Sequence, residues 1–390
     1  MKQFIFDLNI IRDCNFRCNY CKIPFDGSKF KTEHIEKFIE KIKFLLASNE
    51  FNFDRIKIAF FGGEPTLNHS DILKITETFR KDDRVSFFLY SNGYRYSEKV
   101  WNLLESFKSH FIGNEPKLLT QISYDGLASH NVDRVLKSQK QTALEVKETI
   151  FEMAKRHIPF QVHPTISAKN FDKISENYFE FKRMSETLGI EFNYGPTIDY
   201  LTHYKFNKQE LQELKNTLKQ EFNKIAQDNI ESYNGVFRFG WFNPNKAICC
   251  AGNGYVGIEL DGTVVPCHGC FGMATSDSEL NIAHLDDPNQ IFMEKLLQST
   301  KEYGNALRYI PKECQDCKTH YCLKCNAAKY NNSKLSVNST KVVNPDNLKY
   351  LKWTDYSNQP SLCELYKFIG LYRIALLKVV ESQSQSKSKS

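Results

Sequence analysis

Twelve cysteines lie very unevenly along this 390-residue chain, and their placement limits what it can fold into more than any other feature. Cys14, Cys18 and Cys21 fall within eight residues, and no other cysteine occurs before Cys249. The remaining nine are Cys249, Cys250, Cys267, Cys270, Cys314, Cys317, Cys322, Cys325 and Cys363, in a second half also rich in Gly, Asp and Asn turn residues. The start of the chain, Met1 to Asp7, meets an acid too early for a secretory leader, and no run of about eighteen apolar residues occurs. A cytoplasmic protein without a membrane segment is expected. There thiols stay reduced, so cysteines at these spacings read as metal ligands or catalytic groups rather than disulfides.

The cysteine-free stretch carries the fold signal. Six runs rich in β-branched and aromatic residues read as strands: Phe4 to Ile10, Ile56 to Phe61, Val85 to Tyr90, Leu119 to Tyr124, Pro159 to Ile166 and Ile190 to Tyr194. Between and after them Thr32 to Ser48, Ser70 to Arg80, Ser97 to Ser109, Gln141 to Arg156, Phe171 to Leu188 and Lys205 to Asn229 read as helices, several with apolar residues three and four apart. Alternating strands and helices specify an α/β protein with a parallel sheet, here a partial barrel of six strand-helix units. Three parts are expected: the barrel over 1–238, a cysteine-rich domain over 239–378, and a disordered Ser/Lys/Gln tail over 379–390. Lys and Arg number 52 against 46 Asp and Glu. An excess of +6 on a chain this long, with only Lys387 and Lys389 of the tail as a candidate basic stripe, argues against a nucleic-acid partner.

In parallel sheets the sites form at the carboxyl ends of the strands, and each polar motif falls at such an end. Cys14-Asn15-Phe16-Arg17-Cys18-Asn19-Tyr20-Cys21 follows the first strand directly. A four-iron cluster normally takes four thiolates, one per iron, so three on one loop leave one iron open to a non-protein ligand. Zinc would need a fourth ligand from elsewhere. Phe61-Gly62-Gly63-Glu64-Pro65 ends the second strand and Ser91-Asn92-Gly93 the third; Ser123-Tyr124-Asp125-Gly126 ends the fourth, with His130, Asp133 and Arg134 beyond it.

In that order, the motifs resemble those of the radical S-adenosylmethionine (SAM) superfamily. The resemblance implies that Cys14, Cys18 and Cys21 hold a 4Fe-4S cluster whose open iron is chelated by SAM. It also implies that Tyr20, Gly62, Gly63, Glu64, Ser91, Ser123, Asp125 and Arg134 line the cofactor site, with Glu64 near the SAM ammonium and Arg134 near its carboxylate. One electron passed into the sulfonium would break the bond from sulfur to the 5' carbon, and the 5'-deoxyadenosyl radical would take a hydrogen atom from substrate. The electron implies a reductant such as flavodoxin or ferredoxin.

The second cysteine set resembles the SPASM extension of the same superfamily, which holds two auxiliary 4Fe-4S clusters. It differs in having four and two residues where the family run has five and three. By that likeness Cys314, Cys317, Cys322 and Cys363 hold one cluster. Cys250 or Cys249, Cys267 and Cys325 hold the other, whose fourth position is taken by Cys270, the preferred ligand, or left free for substrate. Three clusters in all are implied. Paired Cys-x2-Cys spacings also suit zinc, which leaves a zinc-stabilised interaction protein as the alternative of another class.

Proteins of this branch modify peptides or proteins, by thioether or carbon-carbon crosslinks or, in sulfatase maturases, by oxidising Cys or Ser to formylglycine. Sulfatase maturases carry an Asp after the cysteine of the Gly-x4-Cys element as general base. His268 stands there instead and is the candidate catalytic residue, since an imidazole also takes a proton near neutral pH. With the first cysteine at position 14, no N-terminal peptide-recognition domain is expected ahead of the barrel.

Overall fold

The computed structural model describes residues 2–21, 23–167, 169–190, 192–193, 207–226, 237–238, 251–271, 280–307 and Phe368. Strand β1 (Gln3–Ile11) leads through the cysteine loop into helix α1 (Thr32–Ala47), then β2 (Arg55–Gly62), α2 (His69–Thr78), β3 (Val85–Ser91), α3 (Glu98–Phe107) and β4 (Leu118–Ser123). After β4 come α4 (Leu127–Asp133), α5 (Ala143–Lys155), β5 (Phe160–His163), α6 (Ile174–Leu188), β6 (Phe192–Asn193), α7 (Lys208–Ala226) and β7 (Phe237–Arg238). The described C-terminal part supplies β8 (Tyr255–Ile258), β9 (Thr263–Val265), β10 (Ala283–His284) and α8 (Asn289–Leu307).

One eight-stranded sheet runs in the order β10-β9-β8-β1-β2-β3-β4-β5, with β8, β1, β2, β3, β4 and β5 mutually parallel. Parallel strands need helical crossovers, and α1, α2, α3 and α5 supply them. The α/β parallel core expected from the sequence is thus observed, but its sixth parallel strand is not the one anticipated. The run expected at Ile190 to Tyr194 is seen as β6, which pairs with β7 in a small sheet of its own. The sixth place is taken by β8, which lies beside β1 at the other flank. Sequence reasoning also passed over α4 and α8. Cys249, Cys250, Cys314, Cys317, Cys322, Cys325, Cys363 and the tail over 379–390 lie outside the described residues.

The two faces of this sheet differ chemically because side chains alternate along each strand. Phe4, Phe6, Leu8 and Ile10 of β1, Ile56, Ile58 and Phe60 of β2, and Val85, Phe87 and Leu89 of β3 form one face and are all fully buried. They share one apolar core with Ile35, Phe38 and Ile42 of α1 and Ile72 and Ile75 of α2. Each such large side chain contributes about 1.5–3 kcal/mol on burial, so this face drives assembly. The opposite face carries Asp7 and Asn9 of β1, Tyr90 of β3, Gln121 and Ser123 of β4, His163 of β5 and Tyr255 and Glu259 of the β8 segment, with Phe61 and Phe88 among them. Several of these are half-exposed. A face relieved of core duty can be polar, and here it lines the concave side of the sheet, where loops from the strand ends meet.

Candidate metal and cofactor site

The cysteine loop is tied to its surroundings by backbone hydrogen bonds. The amides of Arg12, Arg17 and Asn19 donate to the carbonyls of Ser28 (2.7 Å), Val135 (2.7 Å) and Asp133 (3.0 Å). The end of β2 lies directly against it, with Gly63 N donating to Ile11 O and Glu64 N to Asp13 O, both at 2.8 Å. A Cβ on Gly63 would sit 2.1 Å from the carbonyl oxygen of Asp13, and one on Gly62, at φ +138°, 2.3 Å from that of Ile11. The glycine pair therefore lets the cysteine-loop backbone close on β2.

Glu64 is fully buried, and its carboxylate collects donors from the next strand. Oε1 accepts from Ser91 Oγ (2.9 Å) and Thr66 Oγ1 (2.7 Å), and Oε2 accepts from the Asn92 amide (2.7 Å). Burial pushes its carboxyl above the ordinary range, and these hydrogen bonds oppose that shift. Asn92 in turn donates to Asn15 in the cysteine loop at 2.6 Å. Gly-Gly-Glu and Ser-Asn-Gly thus form one hydrogen-bonded brace behind Cys14.

On the other side of the loop, Tyr20 OH donates to Asp125 at 3.2 Å, and Arg134 Nε donates to the same carboxylate at 2.8 Å. The guanidinium lies 5.3 Å from the centre of the Tyr20 ring. Thr165 adds its amide to Asp125 and its hydroxyl as acceptor for Arg134 Nη2. Gly126, at φ +89°, has Asn177 Oδ1 2.3 Å from where its Cβ would lie, so the turn after β4 admits only glycine. Ser123 ends β4, in register with His163 of β5. The structure therefore gathers Tyr20, Gly62, Gly63, Glu64, Ser91, Asp125 and Arg134 around the cysteine loop, whereas Ser123 lies at the end of β4, three strands along the sheet from β1.

The chemistry of the three thiols suits an iron-sulfur cluster. Burial pushes the Cys14 thiol up, reinforced by the charge of Glu64; burial takes Cys18 up to about 12 against the opposing charge of Arg134, and also raises Cys21. Among the described residues no three His, Cys, Asp or Glu side chains converge on a single metal ion. A four-iron cube takes one thiolate per iron, which calls for donors spread around a loop, and this loop supplies three.

The concave face holds a second constellation. Asp7 of β1, fully buried, accepts from Tyr255 OH, and its Oδ2 lies 2.5 Å from His268 Nδ1. Burial and the neighbouring Asp7 charge push the Tyr255 phenol up; for His268 the hydrogen bond and charge of Asp7 outweigh burial and raise the imidazole. The imidazole, 40% exposed, stacks on Phe61 with centroids 4.7 Å apart. It occupies a one-turn 3-10 segment, His268–Cys270, that brings Cys267 Sγ and Cys270 Sγ to 3.9 Å from each other, both buried. Sequence reasoning found His268, Cys267 and Cys270 but missed Asp7 and Tyr255. The available signal was Asp7 and Asn9 at alternate positions in the otherwise apolar run Phe4 to Ile11.

Nearer the carboxyl end of β1, Glu259 Oε2 accepts from Asn9 Nδ2 and Arg12 Nη2, each at 3.0 Å. This ties the β8 segment to the base of the cysteine loop. None of the helices among the described residues is long and apolar enough to cross a membrane.

Comparison with known proteins places these motifs in a family. The chain is 24% identical over 308 residues to the radical SAM cyclopropyl synthase TigE of Paramaledivibacter caminithermalis, covering 68% of this chain and 57% of that protein. It is 37% identical over 95 residues to the GTP 3',8-cyclase of Haemophilus ducreyi, covering 24% and 27%. The chain thus spans less than two thirds of the length of either relative. The solved structure of native anSMEcpe with bound AdoMet and Cp18Cys peptide shares the fold, with a TM-score of 0.62 at 19% identity over 94% of this chain and 99% of that one. Residues 8–176, which include the cysteine triplet, the Gly-Gly-Glu and Ser-Asn-Gly brace and the Asp125–Arg134 pair, match the model of the Radical SAM superfamily.

Proposed function

We propose that this protein binds SAM at an iron-sulfur cluster held by Cys14, Cys18 and Cys21, cleaves it reductively, and directs the resulting radical at a peptide or protein side chain. The observation that carries this reading is the three-thiol loop braced by Gly62 to Glu64 and Asn92 at the carboxyl end of the central strand β1, in a sheet whose concave face is polar. When bound, the cluster and SAM supply the 5'-deoxyadenosyl radical. The chain's own residues do the rest. Glu64 fixes the strand ends against the loop, and the Asp125–Arg134 pair keeps a guanidinium beside Cys18 and Tyr20. Phe61, Phe88 and Tyr90, in ring contact with one another, give the polar face an apolar patch against which a substrate side chain would lie.

A peptide substrate is supported by the fold shared with anSMEcpe, whose structure contains a bound peptide. The second cysteine set is assigned to auxiliary 4Fe-4S clusters, with Cys267 and Cys270 as neighbouring ligands. Oxidation of Cys or Ser to formylglycine gains support as a second reading. Where sulfatase maturases have an Asp, this chain has His268, and the carboxylate missing from that position is provided at its Nδ1 by Asp7.

The test is anaerobic. Reconstituted protein with SAM and dithionite is offered, separately, GTP and a pool of synthetic peptides carrying central Cys, Ser, Tyr, Trp or Lys, and both 5'-deoxyadenosine and peptide masses are followed. The expected result is deoxyadenosine formation that the pool stimulates, with a peptide losing two hydrogens or converting Cys or Ser to formylglycine; Cys18→Ala should be silent. Iron-loaded protein that forms no deoxyadenosine defeats the reading, and stimulation by GTP alone moves the substrate to the nucleotide class.

A further inference from the structure

The proposed reaction needs one electron per SAM from outside the chain, and the structure has a surface suited to its delivery. A cleft of about 410 Å³ opens beside the cysteine loop and is lined by Cys14, Asn15, Leu67, Leu136 and Lys137 among others. Cys14 is thus both a ligand of the proposed cluster and part of the wall of a solvent-facing cleft. The lip of the cleft is the tight turn from Leu136 to Lys140, closed by Leu136 N to Lys140 O (3.1 Å) and Gln139 N to Leu136 O (2.9 Å). An antiparallel bridge from Leu136 to Phe16 joins this turn to the cysteine loop itself. A body seated there lies against backbone that is hydrogen-bonded to the ligand loop.

Charge selects the body. Positions 12–31 and 136–140 contain seven Lys and Arg against two Asp, so these two short segments carry +5 of the chain's net +6. Of these, Arg17 is hydrogen-bonded to the carbonyls of Cys14 and Phe16, and Lys137 and Lys140 lie on the turn bridged to Phe16, with Asp13 and Glu145 as their counter-charges. The Lys137–Asp13 and Lys140–Glu145 pairs, at 3.4 and 3.2 Å, have lysines nearly 60% exposed and are weak enough to exchange partners. Leu67, 43% exposed, and Leu136 add apolar contact area to the cleft wall. A basic rim around a small apolar patch fits a partner with an acidic face.

We propose that this surface is the docking site of an acidic one-electron carrier protein, of the flavodoxin or ferredoxin class, which is oxidised by one electron as the cluster behind Cys14 is reduced by one. The inference rests on the cluster assignment above. Its test uses holoenzyme and SAM alone, with no substrate. SAM cleavage is driven either by a flavodoxin with NADPH and flavodoxin reductase, or by dithionite, for the wild type, Lys137→Gln/Lys140→Gln and Lys137→Glu/Lys140→Glu.

The flavodoxin-driven rate should fall at least threefold in the Gln variant and at least tenfold in the Glu variant. In the wild type it should also fall steeply between 50 and 500 mM NaCl. The dithionite-driven rates and iron contents should stay within twofold. Equal rates with flavodoxin across the three proteins, or parallel losses with both reductants, overturn the docking site. So does salt-sensitive binding of a DNA or RNA duplex that displaces flavodoxin, which would make the basic surface a nucleic-acid face. Absence of dithionite-driven cleavage in the iron-loaded wild type instead defeats the radical SAM activity itself, so the two failures are told apart.

Discussion

At the scale of single residues, two glycines and a histidine show how tightly the site is specified. A methyl group at Gly63 would meet the backbone of Asp13, which cannot swing aside like a side chain. Gly63→Ala should cost about 3 kcal/mol or more in urea unfolding. Gly113→Ala, with open space around it and only the penalty of φ +62°, should cost about 1 kcal/mol. His130 is fully buried beside Arg134 with Nε2 3.0 Å from Thr142 Oγ1, and burial first, then the Arg134 charge, pushes its imidazole well below the ordinary value. The unfolded chain therefore takes up a proton that the folded chain refuses. His130 should cost stability as pH falls below about 6.5, by up to about 1.4 kcal/mol per pH unit, and cost nothing above it. Urea midpoints at pH 7.5 and 5.5 should show a smaller acid loss for His130→Gln than for the wild type; an equal loss would mean that the imidazole is free to charge in place.

At the scale of elements, the strands that alternate with helices were legible because crossover geometry spaces them regularly and each carries a run of Phe, Ile, Val or Leu. What eluded sequence reading was partnership. The β8 segment is four residues long and nothing in its composition says that it pairs with β1, about 250 positions earlier. Periodicity records which face of a strand is apolar, not which strand lies beside it. For the same reason sequence reading gave Asp7 no place in the site, where the pairing brings Tyr255 and His268 over it. Glu259 makes this pairing testable. Glu259→Ala leaves the side chains of Asn9 and Arg12 without their shared acceptor and should lower stability by about 2–4 kcal/mol. If urea midpoints are unchanged, the polar tie between the β8 segment and the cysteine loop contributes nothing.

At the scale of the whole molecule, the cysteine spacings announced metal chemistry, and the ordered motifs after β1 to β4 announced where a cofactor would sit. Glu64 is the instructive case: the sequence marked it for the site, and its carboxylate also accepts from Ser91, Thr66 and Asn92, which ties the ends of β2 and β3 together behind the cysteine loop. If all twelve cysteines serve three clusters, anaerobically reconstituted protein should bind about twelve irons. Cys18→Ala should lose about four of them. A count near four in the wild type would leave the second cysteine set without clusters.

The pairing of β1 with β8 also bears on how the protein is made. β1 is synthesised well before β8, so one of its edges stays bare until residue 255 has been made. Closure of so large a loop is slow, and an unpaired strand edge invites contact with neighbouring chains in the meantime. Iron delivered after release would reach a cysteine loop already held on both flanks, whereas iron delivered during translation would meet one flank only. A nascent chain stalled before β8 should therefore be the form most dependent on chaperones and least able to keep its metal.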